Sequence, residues 1–174
     1  MAELSDLIRD IPDFPKEGII FKDITPLLLN REGFQQAVDE LVAHYKNTGA
    51  QVVCGAESRG FIFGPPIAMA LGAGFVPIRK PGKLPYETKS ATYELEYGTD
   101  TVEIHSDAVQ QGQKVLMIDD LLATGGTMKA CCELVESLGG EVVGCGFVIE
   151  LDFLKGREKL TQYDVHSLIH YAGE

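Results

Sequence analysis

The chain has 174 residues, 45% of them apolar and 24% charged, which suits one folded domain with a core that needs neither disulfides nor a structural metal. Its 26 acidic and 15 basic residues give a net charge of −11, and a surface this acidic repels polyphosphate backbones, which excludes general nucleic-acid binding. An anionic ligand must then be held by a few placed bases, by backbone N–H groups, or through a metal.

In chain order, the amino terminus MAELSDLIRDIPDF is acidic and has no apolar signal-peptide region. The first strong element is NREGFQQAVDELVAHYKNTG, where Phe34, Val38, Leu41, Val42 and Tyr45 recur at helical spacing, with Asn30 as cap and Gly49 as stop. QVVCGA predicts a short buried strand, GPPIAMALG a helix opened by proline and closed by Gly72, and GFVPIRK a second strand. The stretch from Gly60 to Ile78 carries no charge, but its prolines and glycines divide it into loop, helix and strand, so no membrane span is expected.

TYELEYG alternates, with Tyr93, Leu95 and Tyr97 on one face and Thr92, Glu94 and Glu96 on the other. The turn GTD leads into TVEIH, which predicts an antiparallel flap over about residues 83–106. KVLMIDD is an apolar strand ending in two acids, GGTMKACCELVESLGG a helix between glycines, EVVGCGFVIEL a long strand and DVHSLIHY a last one. The four cysteines form no C-x-x-C pair and read as small core residues in a reducing compartment. Apolar strands alternating with amphipathic helices predict a single α/β domain over 1–174, a mainly parallel twisted sheet with helices on both faces plus the flap. In such folds ligands gather at the carboxyl ends of the strands.

That edge is where the chemistry collects. VLMIDDLLATGGT delivers Asp119 and Asp120 from a strand into Ala123-Thr124-Gly125-Gly126-Thr127 at a helix start. The glycines let successive N–H groups converge, the helix N-terminus adds partial positive charge, and two hydroxyls can donate: a socket for a phosphate monoester. The two carboxylates stand where sugar hydroxyls would follow, and can hold Mg²⁺ directly or through water. The P-loop pattern and the Rossmann fingerprint are both absent; Gly72-Ala73-Gly74 and Gly144-Cys145-Gly146 read as a helix end and strand packing. Arg59 follows one strand, and Arg79, Lys80 and Lys83 another, so a basic cluster for a second anionic group is expected there. Ile20 and Phe21 offer apolar contact for a planar ring, and Leu121 could close its other side.

VLMIDDLLATGGT resembles the phosphoribosyl pyrophosphate motif of type I phosphoribosyltransferases. GIIFKDITPLL, ESRGFIFGPPIA, IRKPGKLP, YELEYG and LKGREKL resemble, in order, signature segments of the adenine phosphoribosyltransferase family, and the match covers nearly the whole chain. The resemblance implies transfer of a 5-phosphoribosyl group from phosphoribosyl pyrophosphate to adenine, giving AMP and pyrophosphate, in a cytoplasmic homodimer using Mg²⁺. It assigns Ala123 to Thr127 to the 5-phosphate and Asp119 and Asp120 to ribose and Mg²⁺. Ser58 and Arg59, with a cis Glu57–Ser58 peptide, fall to pyrophosphate, joined by Arg79, Lys80 and Lys83. A base-binding segment over about 14–29, with Ile20, Phe21 and Lys22, would hold adenine beside Leu121; many members carry Arg at the Lys22 position. Glu96 would be the catalytic acid–base residue, with Tyr97 closing the flap. Two alternatives stand beside this reading: an enzyme for an oxo-purine, and a non-catalytic regulator that senses phosphoribosyl pyrophosphate.

Overall fold

The computed structural model describes residues 3–95 and 97–173. After a 3-10 turn at Leu4–Leu7, the chain forms a pairing the sequence did not announce: β1 (Arg9–Pro12) runs antiparallel to β2 (Ile20–Asp23). Two cross-strand ion pairs hold it, Arg9 Nη2 to Asp23 Oδ2 at 2.8 Å and Lys22 Nζ to Asp10 Oδ1 at 2.7 Å. Next come α1 (Thr25–Leu29), with Pro26 in its first turn, and α2 (Arg31–Tyr45). Asn30 caps α2 as predicted, its Oδ1 accepting the Gly33 N–H at 2.9 Å.

The remaining elements are β3 (Val52–Ala56), α3 (Gly60–Leu71), β4 (Gly74–Ile78), β5 (Thr88–Glu94), β6 (Thr99–His105), β7 (Lys114–Leu122), α4 (Gly126–Ser137), β8 (Glu141–Leu151) and β9 (Val165–Tyr171). Strands β4-β3-β7-β8-β9 form one parallel sheet in that order, while β5 and β6 pair antiparallel as a separate hairpin. Alternation along β7 fills both faces of the sheet. Leu116 and Ile118 meet Leu41, Tyr45, Phe63 and Ile67 from α2 and α3. Val115 and Met117 join Cys131, Cys132 and Val135 of α4 and Val102 and Ile104 of the hairpin. All four cysteines are buried thiols on that second side. Gly144 and Gly146 leave room for the ring of Tyr45, whose hydroxyl donates to the carbonyls of Cys145 (2.8 Å) and Asp164 (3.0 Å).

Two boundaries differ from the sequence expectation. Helix α3 starts at Gly60, a turn before the predicted Gly64, because Phe61 and Ile62 close its first turn by bonding back to Ser58 and Arg59; Pro65 and Pro66 therefore lie inside the helix. The hairpin strand ends at Glu94, where Leu95 N–H bonds to the Gly98 carbonyl at 2.9 Å and Gly98 takes φ +84°. The alternation from Tyr93 onward thus does not persist as strand through Leu95, and Glu96 lies outside the described residues. Among the described residues no helix is long and apolar enough to cross a membrane.

Candidate active site

The carboxyl ends of β3, β4 and β7 open on a cavity of about 370 Å³, roofed by the β5–β6 hairpin. Ser58 and Arg59 reach it from β3, Lys80 from β4, Asp119 to Leu122 from β7, and Ala123, Thr124, Gly125 and Thr127 from the loop that follows. Tyr93, Leu95 and Asp100 of the hairpin complete the wall, with Met128 and Phe147 beneath.

The 123–127 loop owes its shape to backbone packing. Gly125 takes φ +82° at the N-cap of α4, a conformation open to glycine at little cost. A Cβ there would overlap the carbonyl of Gly156, and a Cβ on Gly156 would overlap the Ala123 carbonyl. Gly156 is held in turn by its neighbour. Arg157 grips the buried carboxylate of Glu150 with two bonds (2.9 and 2.6 Å), and Ser167 Oγ donates to the same carboxylate at 2.6 Å. Glu150, Asp152 and His170 lie within reach of one cation, but the Arg157 guanidinium already occupies Glu150, so the group acts as an anchor. The loop therefore presents the first N–H groups of α4, which have no helical acceptor, to the cavity. Gly126 alone of the five does not line the cavity, and a Cβ there would meet the ring of Tyr93.

Asp120 is buried and pairs with Arg59 Nε at 2.5 Å. Burial first, and then the neighbouring charge of Asp120, push the Asp119 carboxyl well above the usual carboxylate range. A hard divalent cation suits that site, because it would relieve the repulsion between two adjacent oxygen donors. On the opposite wall, Glu57 accepts the backbone N–H of Lys80 at 2.7 Å, and that bond leads the effects holding its pKa down. The Glu57–Ser58 peptide is cis. Lys80 Nζ makes a close ion pair with Asp100 of the hairpin.

Other expected site residues lie elsewhere. Arg79 turns its guanidinium to Glu57 (3.4 Å) and over the Phe61 ring, and Lys83 is exposed; neither lines the cavity. Extended backbone puts neighbours on opposite sides, so Lys80 reaches into the cavity while Arg79 stands behind Glu57 at its wall. The same alternation separates Phe21 from Lys22. Phe21 stands near the cavity, its ring centroid 5.5 Å from the Arg59 guanidinium and 5.2 Å from Phe14. Lys22 is buried away from the cavity, between Asp10 and the Tyr171 ring. Ile20 is half-buried without lining the cavity, whereas Leu121 lines it. Tyr97 is 80% exposed, with Lys16 Nζ 6.0 Å from its ring; Glu94 is exposed too. Tyr93 and Asp100 line the cavity and Gly156 supports its loop, although the sequence marks Tyr93 only as one face of a strand, Asp100 only as part of a turn and Gly156 only as part of LKGREKL.

Residues 27–170 match the phosphoribosyl transferase domain family. The chain is 60% identical over 167 residues to the adenine phosphoribosyltransferase of Halothermothrix orenii, covering 96% of this chain and 98% of that one. The crystal structure of adenine phosphoribosyltransferase from Thermoanaerobacter pseudethanolicus is 55% identical and superposes with a TM-score of 0.94, over 97% of this chain and 98% of that one. The Saccharomyces cerevisiae enzyme, complexed with an imino-altritol bisphosphate and adenine, is 46% identical, with a TM-score of 0.90 over 95% and 96% of the two chains.

Proposed function

The chain belongs to the adenine phosphoribosyltransferases of the phosphoribosyl transferase domain family, and from that premise we propose how its cavity carries out the transfer. The reaction moves the 5-phosphoribosyl group of phosphoribosyl pyrophosphate to adenine and yields AMP and pyrophosphate. The observation that carries the reading is one cavity in which the glycine loop 123–127, the Asp119–Asp120 pair, Arg59 and Lys80 converge.

In this reading the N–H groups of Ala123 to Thr127 and the Thr124 hydroxyl hold the 5-phosphate, while the Thr127 hydroxyl is committed to Tyr93. Asp119 and Asp120 accept the ribose hydroxyls and would hold Mg²⁺, which when bound offsets charge on the departing pyrophosphate. Ser58, Arg59 and Lys80 face the pyrophosphate, while Arg79 and Lys83 add field from outside the cavity. Adenine lies between Phe21 and Leu121, with Ile20 behind; Lys22 braces the β1–β2 pair that carries Phe21. The adenine nitrogen bonds to the anomeric carbon as the bond from that carbon to the pyrophosphate oxygen breaks, and the nitrogen's proton passes to Glu96. The hairpin, with Tyr97 near its tip, shields the activated sugar from water. A homodimer would cover the apolar outer face of α3, where Ile62, Pro65 and Met69 lie and Met69 is 83% exposed. Four buried thiols suit a reducing, cytoplasmic setting.

Turnover measured with adenine, hypoxanthine and guanine tests the base. Adenine should dominate, and equal or faster transfer to an oxo-purine would overturn the assignment. Glu96→Gln should lower kcat by about 10²–10⁴-fold with no change in unfolding temperature.

A further inference from the structure

Tyr93 and Asp100 are direct cross-strand partners in the β5–β6 hairpin, so their side chains share one face. Further along that face Val102 is buried against α4, which fixes the root of the hairpin. Toward the cavity the face becomes polar, and three groups meet there. Tyr93 hydroxyl donates to Asp100 Oδ2 at 3.2 Å, and Thr127 Oγ1 donates to the Tyr93 hydroxyl at 3.0 Å. Lys80 Nζ bonds to the same Oδ2. Asp100 is itself fixed, because its Oδ1 accepts the Thr101 N–H at 2.8 Å. Lys80 is fixed at its other end, its backbone N–H held by Glu57.

A lysine ammonium on a four-carbon stem is costly to order, and it carries three donors. Asp100 uses one of them and leaves two for an anion in the cavity. We propose that Asp100 is a positioning residue for the transfer: it holds the Lys80 ammonium ready for the pyrophosphate group, and through Tyr93 ties that grip to Thr127 of the 5-phosphate loop. This rests on the function proposed above. The ordering cost of Lys80 is met before substrate arrives, which is what preorganisation contributes to affinity. The opposite effect is also physical, since a carboxylate facing the cavity repels a polyphosphate. The two effects move the measured constant in opposite directions.

The test is steady-state kinetics of wild type, Asp100→Asn, Lys80→Ala and the double variant, with calorimetric titration of pyrophosphate and of AMP, all in Mg²⁺. Asn, with Oδ1 still accepting the Thr101 N–H, puts an amide N–H₂ where Oδ2 stood: Lys80 loses both the charge and its acceptor, while the Tyr93 hydroxyl can accept from the amide and keep its place. Asp100→Asn should raise KM for phosphoribosyl pyrophosphate about tenfold, leave kcat and the KM for adenine within about twofold, and add nothing in the Lys80→Ala background. Pyrophosphate should bind more weakly and AMP as before. A KM that falls or stays unchanged, effects that multiply in the double variant, or an equal loss for AMP and pyrophosphate would each overturn the positioning role. If wild type releases no pyrophosphate with adenine present, the function itself fails, a result separate from all of these.

Discussion

The two walls of the cavity are built on different principles. The 123–127 loop is held by backbone against backbone: Gly125 meets Gly156 with no space for a side chain, and Arg157 on buried Glu150 locks that contact from behind. The hairpin wall is held by side chains. Val102 and Ile104 bury its root, Tyr93 and Asp100 bond across the cavity, and Leu95 and Tyr97 near the tip are 47% and 80% exposed. Under the proposed function, in which the loop holds the 5-phosphate and the hairpin covers the sugar, the difference matches two demands of group transfer. A phosphate socket must be set before the ligand arrives, since amides that reorganise on binding would give up the affinity they supply. A cover over an activated sugar must let substrate in and then exclude water, so its tip must move at small cost while its root stays in place.

The sharpest way to break the contrast is Gly125→Ala. The substitution combines a left-handed backbone with a Cβ inside the Gly156 carbonyl, and should cost roughly 2–5 kcal/mol while abolishing binding of ribose 5-phosphate. Retained affinity in a titration would mean that the loop yields as the hairpin does. Arg157→Ala tests the support one layer back. It leaves Glu150 buried without its ion partner, and unfolding stability should fall by about 2–3 kcal/mol, below the full value for a buried pair because Arg157 is half exposed. Burial pushes Glu150 up, but the bonds from Arg157 and Ser167 prevail and hold its pKa below 4.5. Its contribution is therefore present above pH 4.5 and lost as pH falls through the lowered value. The gap between wild type and Arg157→Ala should close on acidification in chemical denaturation.

The same contrast explains how far the sequence could be read. Parallel strands buried on both faces are continuous apolar runs, so VLMI and GCGFVI declared themselves, and the glycine-hydroxyl run at the end of β7 drew attention to the loop that lines the cavity. The adenine assignment came from resemblance across several segments, since nothing in a strand's periodicity distinguishes one purine from another. Contacts between residues distant in sequence stayed hidden: Gly156 supports a loop that ends 29 positions earlier, and Lys80 meets Asp100 from the far side of the cavity. The β1–β2 pair escaped because RDIP, with two charges and a proline, shows no strand pattern. The turn of Lys22 away from the cavity could have been read, since strand alternation already separates it from Phe21.

Asp119→Asn sharpens the comparison at the level of single carboxylates. Asp100, on the hairpin, is relieved by Lys80, whose hydrogen bond is the leading cause of its lowered pKa. Asp119, on the sheet side, has no ion pair among the described residues and sits beside Asp120, with its pKa raised. An acid that keeps its proton to higher pH in the folded chain loses it first in the unfolded chain. Its ionisation thus favours unfolding as pH climbs from the ordinary value of 3.8 toward the raised one. Asparagine keeps the oxygen that accepts the Asp120 N–H at 2.8 Å and removes the charge. The variant should be more stable than wild type by roughly 0.5–2 kcal/mol near neutral pH, with a smaller advantage at pH 5, while losing most transfer activity. A variant less stable than wild type at neutral pH would show that the loop side, like the hairpin, already neutralises its acids within the protein. The case for a metal drawn to relieve Asp119 would then lose its physical basis.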